Sequence, residues 1–173
     1  VNGNLYIQGG GDPGFSAERL WLFVQHLYHL GLRKVTGNLV LDDNFFDSVT
    51  VGPGFDEDSS SRAYQPLISA LSASFSSLAI HHRSGSIAGS LVHVDVFPRI
   101  QGIKVVSSAK TAIGKSSSID IRTVPTTEGT SIIVNGSMSL EESPKYTYRK
   151  VWQTWQVFGG ALMSLFSEYG ISI

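Results

Sequence analysis

The chain has 173 residues, 42% hydrophobic and 16% charged, which is enough apolar material for the core of one domain or two small ones and too much for wholesale disorder. Its 13 Lys and Arg against 14 Asp and Glu leave a net charge of -1, without the basic excess that nucleic-acid binding draws on; with no cysteine, disulfides, thiolate metal sites and a cysteine nucleophile are all excluded. No apolar run reaches the roughly 18 uninterrupted residues of a membrane span, and the most apolar stretch, 151–173, is broken by Gln153, Gln156, Ser164 and Glu168.

Residues 4–8 (NLYIQ) alternate as a short strand does and run into Gly9-Gly10-Gly11-Asp12-Pro13-Gly14, a dense turn signal. Ser16 suits an N-cap and Glu18 the first helical turn. Leu20, Phe23, Val24, Leu27 and Tyr28 recur at helical spacing before Gly31, which predicts a helix over 17–30. Residues 35–42 (VTGNLVLD) read as a second strand, so strand, helix and strand form one unit. Residues 43–63 are polar, rich in Gly, Ser and Asp, and too long for a plain connector, which makes them a candidate functional loop.

From 73 to 134 the pattern changes to short β-like runs around Leu78, Val94, Val105, Ile121 and Ile133, with Phe75 and Ile80 read into the first of them. Turn residues separate them at roughly ten-residue spacing, which predicts an antiparallel β region. Residues 152–169 return to a helix, with Trp152, Trp155, Phe158, Met163 and Phe166 apolar and Gly170 as terminator. The expected fold class is therefore α+β. A strand-helix-strand layer (1–71) and a C-terminal helix (148–173) that packs back on it flank an antiparallel β-rich subdomain (72–147). No signal peptide is visible and Val1 is not an initiator, so the chain reads as a piece of a longer protein.

Four constellations bear on chemistry. The glycine run could cradle a phosphate at a helix start, but its spacing fits neither dinucleotide nor P-loop fingerprints, no lysine follows, and Asp12 would repel the anion; it reads as a tight structural turn. His26 and His29 share a helix, whereas His81 and His82 are strand neighbours pointing to opposite faces, so no metal site is expected. Ser107-Ser108-Ala109-Lys110 spells S-x-x-K, yet that tetrad works only on the first turn of a helix, and here it sits in a β pattern. The acidic groups Asp42-Asp43 and Asp56-Glu57-Asp58 remain, the latter between Phe55 and Tyr64. Carboxylates beside aromatic rings bind an ammonium by charge and ring contact, although a charge run is more often a solvated face.

The order of landmarks resembles a known family. Residues 3–13 resemble a G-x-L-y-l-x-G-x-G-D-P opening, and 37–46 resemble G-d-l-v-l-D-d-s-x-F. Gly52, Pro53, Gly54 and Phe55 with Asp58 and Tyr64 resemble p-G-W…D…Y, Phe55 standing where the pattern has tryptophan. Residues 66–71 resemble a-P-i-s-A-L, and 148–171 the terminal helix. The chain is similar in these respects to the low-molecular-mass class C penicillin-binding proteins, serine D-alanyl-D-alanine carboxypeptidases and endopeptidases. The match is strong over 3–71 and weak over 72–144.

The resemblance implies accessory domains inserted between S-x-x-K and S-x-N of a transpeptidase-like parent, so this stretch would carry no catalytic serine, lysine or K-T-G box and would be inactive alone. It implies a serine peptidase parent acting on peptidoglycan stem peptides outside the cytoplasmic membrane, with the missing catalytic domain as partner. No cofactor, nucleic acid or membrane span is implied. Asp58, Tyr64 and Phe55 become the expected substrate contacts at the cleft rim. The alternative is a free-standing cell-envelope binding or scaffold module with no enzymatic parent.

Overall fold

The Ser16 side chain, at extended backbone, accepts a hydrogen bond from the Arg19 N–H at 3.3 Å and so starts α1, Ala17–His29. A computed structural model describes residues 1–54, 60–114 and 116–173. Helix α1 joins two parallel strands, β1 (Leu5–Gln8) and β2 (Leu39–Asp42), paired from Leu5 with Leu39 to Gln8 with Asp42. The second strand is shorter than the expected 35–42. Residues 35–37 are instead held from both sides: the Val35 N–H donates to the Ser172 carbonyl, the Thr36 N–H to the Val1 carbonyl and the Gly37 N–H to the Gly3 carbonyl. The Val1 amino group and the Ser172 N–H complete this clasp on the carbonyls of Lys34 and Arg33.

The β-rich part holds β3 (Ser77–Arg83), β4 (His93–Phe97), β5 (Lys104–Ser107), β6 (Lys110–Ala112), β7 (Ser118–Thr126), β8 (Gly129–Ser139) and β9 (Lys145–Lys150). One sheet has the order β4-β3-β9, and both pairings are antiparallel, as expected. In the other, β7 and β8 are an antiparallel hairpin, but β5 and β6 lie in tandem along the opposite edge of β8 and parallel to it. The geometry requires this. Strands β6, β7 and β8 reverse direction in turn, and β8 lies between the other two, so β6 runs the same way as β8. Hydrophobic alternation cannot reveal such an order, because it specifies faces and not neighbours.

Helix α2 (Thr154–Glu168) is apolar on most sides and packs on α1. Its glycines explain how close it comes to its neighbours. A Cβ on Gly159 would stand 2.6 Å from a Leu41 methyl, and one on Gly160 2.2 Å from an Ile100 methyl. Leu20 and Val24 of α1, Leu78 and Ile80 of β3, Ile132 and Val134 of β8, and Leu162 and Phe166 of α2 form one continuous buried cluster. Phe23 and Leu27 pack against it but are only half-buried, so the buried stripe of α1 is narrower than its sequence pattern suggests.

Candidate functional site

The landmark residues of the N-terminal part converge on one shoulder of the fold, and their roles there are structural. The Gly9 N–H donates to the Asp42 carbonyl and the Gly11 N–H to the Ala70 carbonyl, both at 2.9 Å. A Cβ on Gly9 would stand 2.4 Å from the Ala70 carbonyl oxygen, whereas one on Gly10 would meet nothing within 4 Å. Asp12 holds the Arg19 guanidinium at 2.7 Å and accepts the Gly14 N–H at 2.9 Å. Asp43 accepts from the Ser69 hydroxyl and the Leu71 N–H, each at 2.9 Å, and so ties the 66–71 segment to the end of β2. Backbone of the 70–71 segment thus packs directly on Gly9, and the Asp12 carboxylate beside the turn is taken up by Arg19 and Gly14.

The other constellations resolve in the same way. Ser107 ends β5 and Lys110 begins β6, both on extended backbone, so the S-x-x-K letters lack the helical turn that would bring amine to hydroxyl. His81 and His82 do point to opposite sides of β3. His82 is buried and its imidazole is held below its ordinary pKa, first by that burial; His81 faces Asp95 of β4, with Nδ1 3.7 Å from the carboxylate. Among the described residues no group of three potential ligands could hold a metal ion.

Of the three expected substrate contacts, Phe55 and Asp58 lie outside the described residues. Tyr64 is described: it is exposed and lines the rim of a groove of about 1660 Å³. The segment before it is fixed by β9, since Arg62 bridges Arg149 and the Lys150 N–H donates to the Ser61 carbonyl at 2.9 Å. The groove passes from the outer face of the β4-β3-β9 sheet, past the turn at 74–76, to the outer sides of α1 and α2.

Its walls carry unusually many exposed rings: Trp21, Tyr64, Phe75, Phe97, Tyr146 and Tyr148. Strand register arranges part of this set. Tyr148, Ala79 and Phe97 form one row across β9, β3 and β4; Tyr146, His81 and Asp95 form the next. The Tyr146 ring lies over His81 with centroids 4.9 Å apart. Phe75 is presented by a left-handed turn in which Ser74, Phe75 and Ser76 all have φ near +50°, at 50°, 54° and 47°. The turn is held by the Ser74 N–H donating to the Phe15 carbonyl and by the Ala17 N–H donating to the Ser74 hydroxyl. Sequence reading placed Phe75 in a strand; the reversed backbone turns its side chain out instead.

Carboxylates dominate the groove's charge. Glu18, Asp95 and Glu168 line it; among the described residues Arg99, 4.0 Å from Glu168, is the one arginine there and His81 the one histidine. Hydrogen bonds from the Ser16 hydroxyl and its own backbone hold Glu18 below the usual carboxylate pKa. Apart from Tyr64 and the His81 already weighed as a ligand, the sequence reading missed this surface. The Tyr146-x-Tyr148 pair at strand spacing was the signal that could have found it.

The family model for D-Ala-D-Ala carboxypeptidase 3 (S13) matches residues 1–173. A D-alanyl-D-alanine carboxypeptidase of Actinomadura sp. (strain R39) is 38% identical over 68 residues, which are 39% of this chain and 13% of the relative. Penicillin binding protein 4 (dacB) of Haemophilus influenzae aligns over 98% of this chain with a TM-score of 0.74 and 19% identity; its complex with a beta-lactam aligns over 100% with a TM-score of 0.64 and 18% identity. The likeness to these structures is one of fold. The chain spans 37% and 36% of their lengths.

Proposed function

Since this chain belongs to the D-Ala-D-Ala carboxypeptidase 3 (S13) family, we propose that it is a non-catalytic accessory portion of a serine-type D-Ala-D-Ala carboxypeptidase or endopeptidase. The whole protein acts, in this reading, on peptidoglycan stem peptides outside the cytoplasmic membrane. One observation carries the proposal: the family match runs through all 173 residues, yet the only S-x-x-K tetrad among them lies on extended backbone and no S-x-N or K-T-G box is present. The acyl-serine chemistry then belongs to another part of the parent chain. That part supplies a serine hydroxyl to attack the peptide carbonyl and a lysine amine to take its proton.

This chain's contribution is to hold substrate. Tyr64 and its neighbours Phe55 and Asp58 border the cleft, the carboxylate pairing with a free ammonium of the stem peptide and the rings limiting its access to water. The domain division at 71 and 147 belongs to the same proposal, the β-rich segment being an accessory unit.

Mass spectrometry after incubation with benzylpenicillin tests the central point. The chain alone is expected to gain no adduct, and the full-length parent to gain one outside this segment. A mass gain on Ser107 would overturn the reading. In the parent, Asp58→Asn is expected to lower kcat/KM for substrates with a free side-chain amine by the equivalent of about 1.5–3 kcal/mol, the worth of one hydrogen bond to a charged group. Substrates acylated at that amine should change much less, and equal losses on both would remove Asp58 from ammonium recognition.

A further inference from the structure

The sheet β4-β3-β9 has two outer strands, and their edges differ. That of β9 is partly covered, because Ser61 and Arg62 run alongside it and bond to Lys150 and Arg149. That of β4 has no second strand partner among the described residues. Alternate N–H and C=O groups of His93–Phe97 therefore point out of the sheet, a template for another strand. Val94, Asp95, Val96 and Phe97 all line the groove. Consecutive residues point to opposite faces, so a lining that takes all four follows the edge itself. Ile103 and Val105 line the same groove.

Asp95 decides what fits. It stands at the middle of β4, its side chain is 74% exposed, and the His81 ring on β3 lies beside it with Nδ1 3.7 Å from the carboxylate. A two-fold antiparallel pairing of β4 with a second copy, centred on that middle residue, would set Asp95 against Asp95, and like charges directly opposite are destabilising. The edge is thus disfavoured for self-association by a charge, and that charge is complementary to a cation. Glu18 extends the same sign along the groove, while Glu168 stands 4.0 Å from Arg99, and the tyrosine rings give a cation further faces to rest on.

We propose that the free edge of β4 accepts an extended, basic protein segment as an added strand. A lysine or arginine faces Asp95, and an apolar residue two positions along faces Phe97. The site is independent of the peptidase reading, because it uses neither a serine nucleophile nor the Asp58 loop.

The test is fluorescence anisotropy of the full chain with a labelled heptapeptide of threonine carrying arginine and valine two positions apart. Three companions go with it: the peptide N-methylated on alternate amides in each of the two registers, the peptide with glutamate for arginine, and the variant Asp95→Lys. Saturable binding is expected. N-methylation in the register facing β4 should weaken it at least about tenfold while the other register is tolerated, and glutamate for arginine should weaken it by about tenfold, the worth of one charge-assisted contact. Asp95→Lys should reverse the arginine-over-glutamate preference.

Equal binding of both N-methylated peptides would overturn the added strand. The absence of saturation at about 1 mM, the weak end of specific recognition, would overturn the site. Sedimentation showing that the wild-type chain dimerises through β4 would replace the basic segment with a second copy. The N-methylated pair is measured on the wild-type chain, so the proposal stays testable even if Asp95→Lys fails to fold.

Discussion

The shoulder formed by β1, α1 and β2 and the sheet β4-β3-β9 use their side chains in opposite ways. On the shoulder, nearly every landmark residue is occupied by the protein itself: Gly9 by the 70–71 backbone, Asp12 by Arg19, Asp43 by Ser69 and Leu71. On the sheet, rings and a carboxylate face outward beside an edge that has no strand partner among the described residues, although the sequence there carries few landmarks. Dense motifs in this chain record backbone constraint. The surface available to other molecules is written in a weaker signal, two-residue alternation.

The core that both regions share carries the largest expected effect. Leu20 is fully buried, and Leu20→Ala is expected to cost about 2–5 kcal/mol in urea unfolding. Half-buried Leu27 should cost distinctly less on the same change, and equal losses would mean that the buried stripe of α1 is wider than described.

The glycine run carries the next largest effect. Gly9→Ala forces a methyl against the Ala70 carbonyl and should cost about 1–3 kcal/mol, the usual range for overpacking. Gly10→Ala should stay within about 0.5 kcal/mol, as surface changes do. If the two adjacent substitutions behave alike, the shoulder is not held by close backbone approach.

A third effect has the opposite sign. A non-glycine residue in the left-handed region carries roughly 1–2 kcal/mol of strain, and Phe75 adds an exposed ring to it. Phe75→Gly is therefore expected to leave stability unchanged or raise it by up to about 1 kcal/mol, after glycine's own entropy cost is subtracted. A clear loss in thermal unfolding would show that the ring packs within the chain.

The smallest expected effect is a pH dependence. Burial lowers the folded-state pKa of His82, so the unfolded chain binds that proton more readily. His82 therefore costs no stability well above its unfolded value of about 6.5. Stability falls as pH drops through that value and levels off below the folded pKa. Unfolding midpoints between pH 7.5 and 5.5, roughly that window, should slope downward toward acid, and His82→Gln should flatten the slope. An unchanged slope would assign the dependence to other groups.

Much of the shoulder was legible because its physics is local. Ser16 as a cap, the 3.6-residue stripe of α1 and the Gly9–Gly14 turn each need only a few neighbouring residues to be recognised. The terminal helix was readable for the same reason. The tandem of β5 and β6 along β8 was not, since it depends on which strand lies between which others. The left-handed turn at 74–76 was hidden too, because serine and phenylalanine carry no signal for positive φ. Of the three expected contacts, Tyr64 is the one among the described residues and it lines the groove, but the rings and acids that line it with Tyr64 come from β4, β9 and both helices, which only the tertiary fold brings together.

The clasp around residues 33–37 has a mechanical consequence. Val1 and Ser172 grip this one short segment from its two sides, so polypeptide attached at either end would enter and leave at nearly the same point. Tension applied between those points would load the few hydrogen bonds of the clasp before it reached the buried cluster of α1, α2 and β8.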